Sequence, residues 1–117
     1  MKKDIYDRTF TFSVRIVKLC QYLDDKPGVP RTLAQQLLRS GTSIGANVEE
    51  AQAAQSKADF ISKLTIALKE SRETRYWLSL LVASDIVPQE RISQLQTETE
   101  ELRKILGVII ISTKGST

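Results

Sequence analysis

Two kinds of residue in this chain have types and spacings that could do chemistry. The first is the stretch RSGTSIGANVEEA, residues 39–51, where two glycines and several hydroxyl or amide side chains precede an acidic turn. Glycines before a helix can cradle phosphate. A Walker loop, however, needs a preceding strand and a Lys-Ser/Thr pair after its second spaced glycine. Here Ala46 and Asn47 follow Gly45, and no strand pattern precedes. The dinucleotide fingerprint fails as well, because Gly41 and Gly45 are wrongly spaced. As a helix, the same stretch puts Ser40, Gly41, Ile44 and Val48 on one face. Each mid-helix glycine costs about 1 kcal/mol against alanine, so close approach of a neighbouring backbone must offset that cost.

The second kind is the acidic and thiol groups. Di-iron bundles combine carboxylates with Glu-x-x-His pairs, but the chain contains no histidine. Glu70 and Glu73 are an ordinary helical spacing. Without histidine, a serine or cysteine nucleophile also lacks its common base. Cys20 falls in an apolar helix and is expected as a small core or interface residue. These residues point away from an enzyme and imply no metal and no cofactor.

The elements that position these residues are helical, because apolar side chains recur at three- and four-residue steps throughout. The pattern predicts a single all-α domain over residues 1–117, with helices roughly at 4–24, 30–54, 56–83 and 88–112. The first helix aligns Ile5, Phe12, Ile16, Leu19 and Leu23. The second aligns Leu33, Leu37, Gly41, Ile44, Val48 and Ala51. In the third, Phe60, Leu64, Leu68, Ser71, Leu78 and Val82 face together, and in the fourth Ile92, Leu95, Thr99, Leu102, Leu106 and Ile109. DDKPGVP separates the first pair, with Val29 expected to be extended before Pro30. Ser56 with Asp59 three residues on reads as a capping-box start, and Pro88 opens the last helix. Short connections between helices of about this length predict an antiparallel up-down-up-down four-helix bundle.

Polar residues interrupt the third stripe. Arg75 falls within about 20° of Leu64 and Val82 on a helical wheel, which predicts a buried guanidinium. Such a charge needs partners, and Asn47, Glu49 and Glu50 on the second helix are the candidates. The contact would fix the register of the bundle or present a charge to a ligand. Lys69 and Glu73, four apart, are expected to pair on the surface.

Apolar surface exceeds what one bundle core needs. Phe10, Val14 and Val17 point about 160° away from the main stripe of the first helix. Ile66, Trp77 and Leu80 do the same on the third, and ILGVIII (105–111) is apolar nearly all round. Surface of this kind marks a protein interface, so a homo-oligomer is expected through these six residues. An interface with a different protein partner is the alternative.

The net charge of +3 is uneven. Residues 1–39 hold eight Lys/Arg against four Asp/Glu, whereas residues 40–117 hold nine against ten. Arg8, Arg15 and Lys18 lie within an arc of about 80° between the two stripes of the first helix. Repeated by symmetry, that line would attract phosphate; alone, it is a solvated helix edge. With Arg39 these residues are the expected contacts to structured RNA or DNA. No run is long enough for a membrane span. The lysine-bearing start lacks an apolar signal core, and one cysteine fits a reducing cytoplasm.

Residues 37–87 closely resemble the bacterial four-helix-bundle family of 23S rRNA-intervening-sequence proteins. The resemblance rests on Arg39, Ser43, Ile44, Asn47 and Glu50, then Phe60, Ile61, Lys63, Leu64 and Ala67 to Glu70. It continues through Glu73, Thr74, Tyr76, Trp77 and Leu78. Many relatives carry proline one residue after the Ser-Ile pair, where this chain has Gly45, which implies a less kinked second helix. The resemblance implies a ring, typically a pentamer, similar to the accessory protein of diversity-generating retroelements, whose basic surface contacts nucleic acid. It implies no biochemical activity.

Overall fold

The computed structural model describes residues 3–116; Met1, Lys2 and Thr117, the ends of the expected domain, lie outside the described residues. Four helices follow in order: α1 (Lys3–Asp24), α2 (Val29–Gln52), α3 (Lys57–Ala83) and α4 (Gln89–Lys114). Each boundary has a local cause. Gly28 adopts φ +93°, open to glycine at low cost, and Pro30 fits the first turn of α2. This corrects one expectation: Gly28 takes the irregular backbone, so Val29 begins the helix instead of remaining extended. The Ser56 hydroxyl accepts from the Asp59 backbone N–H at 3.0 Å, and Asp59 Oδ2 accepts from the Gln55 N–H at 3.3 Å. Pro88 caps α4 from an extended conformation instead of lying inside it.

Cross-links set the directions. Tyr6 near the start of α1 meets Glu49 near the end of α2, and Lys57 at the start of α3 donates to the Ser116 carbonyl beyond α4. On α1, Arg8 meets Glu98 and the later Arg15 meets the earlier Gln94. Successive helices are therefore antiparallel neighbours around one core, and the α1–α4 seam is the loosest. The bundle measures 50 × 21 × 19 Å.

The core contains Ile5, Phe12, Ile16, Leu23, Leu37, Ile44, Leu64, Leu78, Leu102 and Leu106, each essentially inaccessible. All stripe residues expected on α1 are buried. On α2 the small residues bring the backbones together as expected. A Cβ on Gly45 would lie 3.1 Å from the Thr9 carbonyl oxygen, which is backbone and cannot turn aside. The glycine stretch is thus a packing face along a continuous helix.

Candidate interaction surface

On α3 the core face is turned from its expected direction. Leu64, Ala67, Ser71, Thr74, Leu78 and Leu81 are the buried residues. Their centre lies near Ala67 and Leu78, which leaves Arg75 about 70° off axis at the α4 edge. The expected buried cluster is therefore corrected on all three members. Arg75 is exposed and donates to Glu100 of α4 at 3.0 Å. Glu50 is exposed on α2, and half-buried Asn47 donates to the Ser43 carbonyl of its own helix at 2.8 Å.

Hydroxyls take the buried polar positions instead. Thr9, Ser40, Ser71, Thr74 and Thr99 are all buried. The Ser40 and Thr74 hydroxyls lie 3.1 Å apart and tie α2 to α3. Thr99 donates to the Leu95 carbonyl at 2.6 Å. A hydroxyl can satisfy itself on its own helix carbonyl, which a buried guanidinium cannot. Among the described residues, no buried side-chain polar atom lacks a partner.

The four expected phosphate contacts have unequal surroundings. Arg8 pairs with Glu98 at 2.6 Å across the α1–α4 seam, with Glu101 at 3.8 Å beyond. The Glu98 hydrogen bond raises the Arg8 pKa further, so that side chain stays charged. Arg39 pairs with Glu73 and, at 3.4 Å, with Glu70. Glu73 also accepts from Trp77 Nε1 at 2.9 Å, so it serves Arg39 and Trp77 instead of the expected Lys69. Among the described residues Arg15 reaches only Gln94, at 3.4 Å. Lys18 is exposed, and among the described residues it forms no ion pair. Two of the four thus hold seams of the bundle through carboxylates, Arg15 is half-buried beside Gln94, and Lys18 faces solvent.

The expected interface residues divide as well. Phe10 is 66% exposed, and Val14 and Val17 follow it in the same row. Val17 and Leu38 flank one groove between α1 and α2, and Phe10 rims another over Thr42, Gly45 and Ala46. One apolar face therefore crosses both helices. Ile66 is exposed on α3, but Trp77 and Leu80 are half-buried, with Trp77 packed on the core. Its neighbour Tyr76, not among the expected interface residues, is 59% exposed. In the 105–111 run, Val108 and Ile111 face solvent beside an open groove of about 550 Å³ at the start of α1.

Cys20 lies in the core and donates to the Ala34 carbonyl at 3.4 Å; burial pushes its pKa up to about 11. Among the described residues, no group of three or more His, Cys, Asp or Glu is placed to hold a metal ion, and no helix is long and apolar enough to cross a membrane.

The overall fold agrees with comparison to known proteins. The sequence pattern of the 23S rRNA-intervening sequence proteins matches residues 1–108. The chain belongs to that family. A crystal structure of a protein of unknown function from the S23 ribosomal protein family of Bacteroides thetaiotaomicron is similar to this intervening-sequence protein. The two share 45% identity over 91% of this chain and 97% of that one, with a TM-score of 0.85. No curated protein matches the chain. Membership of the intervening-sequence family thus accounts for the bundle.

Proposed function

We propose that the protein works as a homo-oligomeric helical scaffold, assembled through the apolar α1–α2 face. The observation that carries this reading is the row Phe10–Val14–Val17, open to solvent on α1 and continuous with Leu38 across the groove. Water-exposed Phe and Val in one row are stabilised by covering them, at roughly 25 cal/mol per Å² of apolar area. A second and different apolar site, around Ile66 on α3, suits head-to-tail contact, which closes into a ring. The pentamer implied by the family resemblance is one such closure. The test is light scattering on the wild type and on Phe10→Lys/Val17→Lys. A multiple of 13.2 kDa that falls to the single-chain mass in the variant supports the reading. A single-chain mass for wild type overturns it.

A second reading, that the assembled ring binds structured nucleic acid, is favoured by exposed Lys18 and half-buried Arg15, neither paired with a carboxylate among the described residues, on one side of α1. Symmetry would repeat this pair once per subunit and concentrate positive potential. Arg8 and Arg39 would contribute only by leaving their carboxylates. Affinity for a structured RNA that falls steeply with salt and drops in Arg15→Gln/Lys18→Gln supports it. Unchanged binding in that variant removes it.

A further inference from the structure

The outward side of α3 carries a row of residues that neither reading uses. Ser62, Thr65, Lys69, Arg72, Tyr76 and Ser79 follow at three- and four-residue steps, so they stand in one line on the helix. All six are exposed and none is acidic. Nearby carboxylates are engaged elsewhere: Glu70 and Glu73 with Arg39, Glu100 with Arg75 and Arg103. Lys69 and Arg72 form no ion pair among the described residues, although Glu73 stands four residues after Lys69. The row therefore keeps its positive charge.

Tyr76 lies within this row, seven residues and about 10 Å along the axis from Lys69. Its ring packs edge to face on Trp77, with centroids 5.1 Å apart and planes at 74°. Trp77 is itself held by Glu73 and by the core. A large aromatic ring, 59% exposed and braced from beneath, offers a flat surface already oriented. Cations and hydroxyls suit phosphate oxygens, and an open tyrosine ring suits a base that is not already stacked in a duplex. Ile66 borders the row beside Lys69, and Leu80 borders it beside Tyr76; the α1–α2 face that carries the proposed assembly lies on other helices.

We infer that this row on α3 binds single-stranded nucleic acid, with Lys69 and Arg72 contacting phosphates and Tyr76 stacking on a base. The site is separate from Arg15 and Lys18 and does not depend on them.

The test is fluorescence anisotropy of the full chain with a labelled oligouridylate of about a dozen nucleotides, its thymidylate counterpart and a duplex RNA. Each is titrated at about 50 and about 200 mM salt. The single strands bind more tightly than the duplex, and their ratio distinguishes RNA from DNA as the source. Lys69→Gln/Arg72→Gln weakens binding and reduces the log–log salt slope by about 1.4. Tyr76→Ala weakens it roughly tenfold at unchanged slope, whereas Tyr76→Phe keeps it. Arg15→Gln/Lys18→Gln leaves it intact. No binding at the lower salt overturns the inference. So does wild-type affinity in both α3 variants, or a loss confined to the α1 variant.

Discussion

A Cβ built on Gly41 would lie 2.8 Å from Ile16 Cγ2, closer than real side chains approach, while a Cβ on Gly107 would meet nothing within 4 Å. The two glycines sit mid-helix but do different things. Gly41 allows α1 and α2 to close on each other, and Ile16, fully buried and β-branched, is restricted at χ1 and has little room to move. Gly107 pays the helix penalty without a packing return.

Gly41→Ala and Gly107→Ala should therefore shift stability in opposite directions. Overpacking at position 41 costs about 1–3 kcal/mol and the propensity gain returns about 1, so the melting temperature falls or at best holds. At position 107 the gain stands alone, up to about 1 kcal/mol, and the melting temperature rises by about 4 °C. Thermal unfolding followed by circular dichroism checks both. A rise at 41 would mean that α1 and α2 are not in close contact.

The contrast also shows how far the sequence could be read. Strong three-four periodicity made the stripes of α1 and α2 legible, and Gly41 and Gly45 stand where a close-packed face was expected. On α3 the bulkiest residues, Leu64, Leu68 and Val82, drew the expected face towards α4. The residues that complete the core there are Ala67, Thr74 and Leu81; a hydrophobicity pattern weights the first two little, and Leu81 lies on their side of the helix. That error brought Arg75 inside. Pairing across helices was not legible either. Nothing in the spacing tells Glu73 to choose Arg39 and Trp77 over Lys69, because that choice depends on how α2 lies beside α3. The cationic row on α3 was present in the spacing of residues 62–79, but only the structure shows that its neighbouring carboxylates are taken.

The Arg39 cluster gives a second prediction. Arg39 is about half exposed, so its pairs with Glu70 and Glu73 are screened and contribute about 1 kcal/mol or less. Arg39→Met should lower the melting temperature by a few degrees. Arg39→Glu should lower it further, because three carboxylates then crowd one site. Trp77 emission should shift in both, since its Nε1 partner Glu73 is freed. Unaltered emission would mean that the cluster does not hold Trp77.

Glu100 supplies a pH dependence. Hydrogen bonds from Arg103 first and then Arg75 hold its carboxyl below the usual range. A depressed native pKa gives stability that is present above the unfolded carboxyl's pKa and is lost as pH falls through the native value. Glu100→Gln should thus be less stable than wild type at neutral pH. The difference should close as the solution is acidified below the ordinary carboxylate range. Denaturant titrations at several pH values check it, and a gap constant with pH would contradict the assignment.

Cys20 should be chemically quiet. With burial pushing its pKa up to about 11 from an ordinary thiol value of 9.0, the thiolate fraction at pH 8 falls roughly a hundredfold, and burial hinders access further. Reaction with an aromatic disulfide reagent should be slow in the native protein and fast in denaturant. Equal rates would place the thiol outside the core.

In the proposed assembly the row Phe10–Val14–Val17 is covered by another copy of this chain. Light scattering at micromolar concentration tests it most directly. Wild type should give a mass that is a multiple of 13.2 kDa and that returns to the single-chain value in Phe10→Lys/Val17→Lys. A wild-type mass of one chain, or a variant that assembles as wild type does, would contradict it.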